Sequence, residues 1–430
     1  MKSPKIRRIQ TVAVTLLVIA GLINYLDRSA LSIANKPISD EMHLTASQMG
    51  LLLSAFSLPY AFAQLPIGVM LDRLGARVML GAGMLIWSVA QAAAGFVHSL
   101  NQFIVTRLLL GVGEGPQFPA GAKVFGEWFA LHERGRPTGI FVASTTIAPG
   151  LAPPLLTAMM LGFGWRGMFI VMGALGILAS IAWYALYRDR RDVALSEEEL
   201  DYLSSGKRSA DDERRMTSAE WRGLFTKGIT WGMIIGWMGV IYMVFLYVTW
   251  LPAYLQKERG LSLTESGWIL MIPFIGGTLG QLSSGFVADG LLARGLSPIN
   301  SRKWPICIGL VFAAVFTVPA AYTPNLTLAI LYLTLAMYFV NLASGGGWAL
   351  VSVAAPRRLV ASLGSIQNFG GYFGGSAAPL ITGIVVDQTG SFVNALLISA
   401  GVSLAGALAY LLLVKEPIPD TPAEALPASA

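Results

Sequence analysis

The chain has 430 residues, 54% of them hydrophobic and 13% charged, with a formal net charge of +6. A soluble domain is nearer a quarter charged, so composition excludes a water-soluble globule, and the mean hydropathy of +0.62 agrees. The one cysteine, Cys307, excludes an intrachain disulfide and a cysteine-cluster metal site, and the absence of a Gly-x-x-x-x-Gly-Lys-Ser/Thr loop argues against ATP as the energy source.

In chain order, apolar runs occur at 11–34, 48–71, 78–97, 101–125, 136–161, 166–187, 229–255, 264–288, 303–322, 326–354, 360–386 and 391–414. Each reaches roughly the ~20 residues that a helix needs to cross the hydrocarbon core. The first run follows Lys2, Lys5, Arg7 and Arg8, as a signal peptide would. No small-x-small cleavage site precedes the polar patch Asn24-Tyr25-Leu26-Asp27-Arg28, so it reads as a retained first helix. The expected fold is therefore an all-α membrane protein of twelve transmembrane helices.

Lys and Arg fix the expected orientation. With both termini inside, 24 of the 30 fall in or beside inner segments, four fall outside (Lys36, Arg166, Lys257, Arg259), and Arg28 and Arg107 lie within spans. The positive charge thus reflects topology, and no concentrated basic face suggests nucleic acid. Three histidines at segment ends make a buried histidine relay an unattractive idea. The polar stretch 188–228 separates an N-terminal half, 1–187, from a C-terminal half, 229–414, with a tail at 415–430. Within that linker Ser196 and Glu199 have capping-box spacing, which predicts a short surface helix.

The halves echo each other. Gly68-x-x-x-Asp72 with Arg73 and Arg77 has a counterpart in Gly285-x-x-x-Asp289. Gly150 with Pro153 and Pro154 has one in Gly374 with Pro379. Paired six-helix halves around a midplane site are a transporter signature; chance recurrence in Gly-rich helices is the plain alternative.

Four ionisable residues lie deep in spans: Asp27 and Arg28 on span one, Arg107 and Glu114 on span four. Such groups are costly in lipid and face a cavity or each other. Arg107 and Glu114, seven apart, share a face, with Gly111 between them and Pro116 and Pro119 just beyond. Two readings stay open: fixed ion pairs joining the two spans, or carboxylates that carry a proton beside arginines that hold an anion. Tyr25, the set Ser57, Tyr60 and Gln64, the set Tyr247, Trp250 and Tyr254, and the pairs Asn341–Trp348 and Asn368–Tyr372 add polar groups at helical spacing. Interhelical bonding and an aromatic belt are the bland readings for Gln64 and Tyr254.

Gly68-Val-Met-Leu-Asp72-Arg73-Leu-Gly75-Ala-Arg77 resembles the signature loop of the major facilitator superfamily. Asn24-Tyr25-Leu26-Asp27-Arg28, Phe56-Ser-Leu-Pro-Tyr60, Arg107-Leu-Leu-Leu-Gly111-Val-Gly-Glu114, Trp250-Leu-Pro and Gln367-Asn368-Phe369 resemble its anion:cation symporters, bacterial hexuronate, glucarate and galactonate transporters among them. The resemblance covers about residues 10–414. It implies two pseudo-symmetric six-helix halves and import of a small organic anion, foremost a sugar acid, by alternating access in a bacterial inner membrane. It implies no enzymatic activity and no cofactor beyond the coupling proton, with lipid and the anion as partners and the monomer as working unit. By it, Asp27, Glu114 and Arg107 handle the proton. Arg28 and Asn368 contact substrate, with Tyr25, Tyr60 and Trp348 beside them. Asp72, Arg73 and Arg77 gate the halves, topology-setting charge being the plain alternative.

Thr145-Thr146 and Gly345-Gly346-Gly347 depart from the sugar-acid pattern. At least one of these glycines is expected to face the cavity and leave room for a bulkier, less hydroxylated acid. Other expected alternatives are an aromatic or other carboxylate, an organic phosphate antiporter, and a non-transporting membrane sensor.

Overall fold

The computed structural model describes residues 3–130, 133–204 and 218–419, and among these every regular element is helical. The charged run Asp211–Arg215 and most of the tail lie outside the described residues.

The N-terminal spans comprise α1 (Pro4–Ile33), α2 (Asn35–Met42), α3 (Ala46–Ser54), α4 (Ser57–Leu74), α5 (Ala76–Ala94), α6 (Leu100–Glu114), α7 (Gln117–Trp128) and α8 (Gly135–Leu186). The linker holds α9 (Glu197–Ser204) and α10 (Ser218–Leu224). The rest are α11 (Gly228–Lys257), α12 (Leu263–Ile269), α13 (Met271–Ala293), α14 (Pro298–Tyr322), α15 (Leu326–Ala354), α16 (Arg357–Thr389) and α17 (Val393–Leu413).

Among the described residues nine helical stretches are long and apolar enough to cross a bilayer, and the run from α3 through α4, bent by 50° between Ala63 and Pro66, makes a tenth. Two local features bring the number to twelve. In the 52-residue α8, Gly164 has φ +69. That left-handed conformation suits a residue without Cβ, and it divides α8 into two spans. At Gly115–Pro116 the fourth span breaks into α6 and α7, because proline cannot extend the hydrogen-bond ladder.

Side chains satisfy the helix ends that the sequence marks. Ser3 caps α1, and Thr45 with Gln48 closes a capping box on α3. The expected linker helix is present as α9: Glu199 N–H donates to Ser196 Oγ at 3.3 Å and Ser196 N–H to Glu199 Oε2 at 3.1 Å. Ser3 Oγ also donates to Glu199 Oε1 at 2.6 Å, tying α9 to the start of α1. Large apolar side chains such as Phe96, Phe163, Leu178, Trp268 and Phe286 stand exposed, as lipid-facing surfaces require.

Contacts group the chain into two compact units. The first is Met1–Lys207, Phe245–Ile275 and Ser376–Ala395; the second is Arg208–Val244, Gly276–Gly375 and Leu396–Ala430. These units cut across the six-and-six division by chain, because ends of α11, α12 and α16 pack with the N-terminal helices. Asp387, near the end of α16, accepts hydrogen bonds from Ala46 N–H and Ser47 N–H, both at 2.7 Å. It thereby satisfies two donors that open α3. Ser32 Oγ on α1 donates to the carbonyls of Val248 and Thr249 on α11, at 2.6 and 2.8 Å. Trp250 Nε1–H donates to Pro379 O at 3.0 Å, and Trp250 and Tyr254 pack on Phe392. Glu41 accepts from Trp165 Nε1–H at 2.6 Å and from Arg166, whose Nη1 also donates to Val97 O at 2.6 Å.

Candidate functional site

The first unit holds a core of charge. Close helix contact builds it: a Cβ on Gly111 would lie 2.4 Å from Phe56 O, and one on Gly113 would lie 2.7 Å from Trp87 N. Only bare backbone at those positions lets α6 press against α4 and α5. This brings Glu114, the last residue of α6, to α1. There Arg28 Nε–H donates to Glu114 Oε2 at 2.6 Å, across 86 residues of sequence. The Arg28 guanidinium lies 4.9 Å from the ring centre of Tyr25, 4.7 Å from Phe56 and 4.8 Å from Tyr60. Three π-faces around one cation favour it by cation–π attraction. They also leave it only slightly open: its side chain is 13% exposed, against 0% for Glu114.

Behind this pair lie Asp27 and Arg107, both buried. Arg107 Nη2–H donates to Gln91 Oε1 at 2.8 Å and stacks by the rings of Phe103 and Phe169. Among the described residues neither carboxylate oxygen of Asp27 has a hydrogen-bond partner; the side chain feels the charges of Glu114 and Arg107. The two-ion-pair reading is thus half realised. Arg28–Glu114 is a contact pair, whereas Arg107 takes a neutral amide as its hydrogen-bond partner. An ionised carboxylate deep in a protein needs a cation or donors; Glu114 has the cation Arg28, and Asp27 has no such direct bond among the described residues.

Sequence reasoning missed Gln91, the partner of Arg107, and the role of Phe56, which closes the aromatic wall. Glutamine inside an apolar span was the available signal for the first. Asn24 is also fully buried, with its amide beside the Glu114 carboxylate. The side chains of Gln64 and Thr146 lie outside the described residues. Among the described residues no three His, Cys, Asp or Glu gather as a metal site.

The residues expected to gate find partners inside the first unit. Asp72 pairs with Lys123 at 3.3 Å. Arg77 donates through Nε and Nη2 to Tyr184 O at 3.0 and 2.9 Å and lies over that ring. Arg73 is exposed, and its carbonyl accepts from Arg191 Nη1 at 3.0 Å. Asp189 of the linker caps α5 by accepting from Ala76 N–H at 2.9 Å.

In the second unit the side chains expected beside substrate, Trp348 and Asn368, are uncharged. Trp348 is half exposed and meets Trp237 edge-on, with ring centres 5.7 Å apart. Asn368 is partly exposed on α16, next to Gln367, whose Nε2–H donates to Gly347 O at 3.3 Å. The expectation of a cavity-facing glycine is corrected here. A Cβ on Gly345 would lie 2.6 Å from Ser284, one on Gly346 2.9 Å from Ile306, and one on Gly347 2.2 Å from the Trp237 ring. All three serve packing, since side chains of the same unit already fill the space beside each of them.

Comparison with known proteins agrees with this architecture. Residues 17–379 match the Major Facilitator Superfamily. The chain is 47% identical to the probable L-galactonate transporter of Escherichia coli K12, over 97% of this chain and 92% of that protein. It is 34% identical to the D-galactonate transporter of Escherichia coli CFT073, over 92% and 93% respectively. A solved bacterial homologue of the human lysosomal transporter Spinster, inward-facing and unoccupied, shares the fold with a TM-score of 0.76 at 18% identity, over 94% of this chain and 95% of that one.

Proposed function

The chain belongs to the major facilitator superfamily, and we propose that within it this multi-pass transporter imports a six-carbon sugar acid of the galactonate class together with protons. The carrying observation is the Arg28–Glu114 pair at 2.6 Å, walled by three aromatic rings. Arginine keeps its proton and offers a planar fork to a carboxylate. The substrate carboxylate competes with Glu114 for Arg28. A proton on Glu114 removes that competition, so anion binding and proton binding favour one another. Asp27 and Arg107, with no net charge between them, take up the second half of the exchange. Return of the site to the other face releases anion and proton together.

The galactonate transporters among the relatives support the substrate class. The packed glycines of α15 support it too, because they add no volume for an aromatic acid. An organic phosphate antiporter would grip its dianion with cations from both halves. Buried Lys303, at the start of α14, instead donates to Val414 O at 3.0 Å. We assign both termini to the cytoplasmic face of a bacterial inner membrane, from the 24-to-4 division of Lys and Arg, and the monomer as the working unit.

The test is Glu114→Gln in proteoliposomes. Proton-driven accumulation of galactonate should vanish while exchange of internal for external galactonate survives. Accumulation that persists would end the coupling assignment, and a thermal-shift series across galactonate, glucarate, aromatic acids and dicarboxylates tests the substrate class.

A further inference from the structure

Asn24 sits one turn before Asp27 and Arg28 on α1. It is 0% exposed, and among the described residues its amide makes no well-aligned hydrogen bond. Its amide nonetheless sits within side-chain hydrogen-bonding reach of the Glu114 carboxylate, whose Oε1 makes no well-aligned bond while Oε2 is held by Arg28. Gln117, three residues beyond Glu114 across the helix break, is 1% exposed with both amide atoms unpartnered. Its Nε2 lies 3.7 Å from where a Cβ on Gly21 would stand, one turn before Asn24. A buried, unpaired amide is costly and calls for a role.

We propose that Asn24 is a positioning residue for coupling, which takes hold of Glu114 when a substrate carboxylate displaces it from Arg28. An amide suits both forms of the acid. Nδ2–H donates to the carboxylate, and Oδ1 accepts from the carboxylic acid. Leucine in its place would remove that amide from Glu114 at the moment of exchange. The charged groups that face Glu114 are Asp27 and Arg28 from α1 and Arg107 from α6.

This inference rests on the assignment of Glu114 as the coupling carboxyl, and the experiment separates the two. Purified Asn24→Leu, Asn24→Ala, Asn24→Ser and Glu114→Gln proteins are reconstituted, and galactonate exchange and proton-driven accumulation are measured from pH 5 to 9. In Asn24→Leu and Asn24→Ala, accumulation should fall about tenfold, the weight of one charge-assisted hydrogen bond, with its pH profile displaced and exchange within about twofold of the parent. Asn24→Ser, whose hydroxyl both donates and accepts, should recover most of the loss. Equal loss of exchange and accumulation with an unchanged pH profile would make Asn24 a packing residue and overturn the proposal. So would unchanged accumulation in both ablated variants while Glu114→Gln abolishes it. If Glu114→Gln itself still accumulates galactonate, the coupling assignment fails first. If Asn24→Leu does not fold, Asn24→Ala against Asn24→Ser decides the same question.

Discussion

The interior of the first unit and that of the second solve opposite problems. Around Arg28 and Glu114, ionisable groups are brought together by small residues and held by aromatic faces. Around Trp237 and Trp348, small residues bring together large uncharged rings. The first arrangement can change charge state and partner; the second can only keep its shape or lose it. Under the proposed coupling, the first interior answers to protons and the second keeps the wall in shape. Substitutions in the two units should therefore fail in different ways.

The largest effect is expected at Arg28. Arg28→Lys keeps the charge but loses the planar fork and its stacking. Galactonate affinity, measured by isothermal titration, should fall by about 1–3 kcal/mol, or roughly 5- to 150-fold, with little change in melting temperature. Near-normal affinity would move the carboxylate site to another cation, Arg107 first. Gly347→Ser should do the reverse. Its Cβ would meet the Trp237 ring at 2.2 Å, and such overpacking costs about 1–3 kcal/mol. The melting temperature should drop while the ratio of accumulation to exchange holds. A changed ratio would show that the two interiors are not independent.

Tyr60→Leu removes one of the three faces around Arg28. A loss of about 0.5–2 kcal/mol in anion affinity is expected. Stronger binding would mean that the wall stabilises the Arg28–Glu114 pair more than it does the bound anion. The smallest effect concerns pH and the linker. The Ser3 hydroxyl, with the Ser196 backbone and Lys5, holds the Glu199 carboxyl below its ordinary range. A depressed acid stabilises the fold above its unfolded value, near ~4.3, and loses that effect as pH falls through the lower folded value. Hydrogen exchange of α9 amides, corrected for intrinsic rate, should rise below about pH 4. Glu199→Gln should show the same loosening at pH 7, and protection unchanged in that variant would remove Glu199 from the account.

Much of this was legible in the sequence, because lipid leaves few options: apolar length gave the spans, and charge inside an apolar run gave Asp27, Arg28, Arg107 and Glu114. Pairing was not legible. Nothing local says that Arg28 meets Glu114 while Arg107 meets Gln91; helix rotation and the approach at Gly111 and Gly113 decide it. The triple glycine was misread for the same reason. Spacing says that three faces of α15 are bare, but only the neighbours say whether that space is already filled. Asp72 and Arg77 likewise read as a motif, while their partners Lys123 and Tyr184 depend on where α7 and α8 end.

The cap that Asp387 places on α3 spans 341 residues. A ribosome makes α3 long before α16, and N-terminal segments generally form first during synthesis. The two leading N–H groups of α3 therefore wait, without their acceptor, until nearly the whole chain has been inserted. Biogenesis thus ends with one of the last helices made completing one of the first. A chain halted before residue 387 would leave those two N–H groups of α3 without the Asp387 carboxylate.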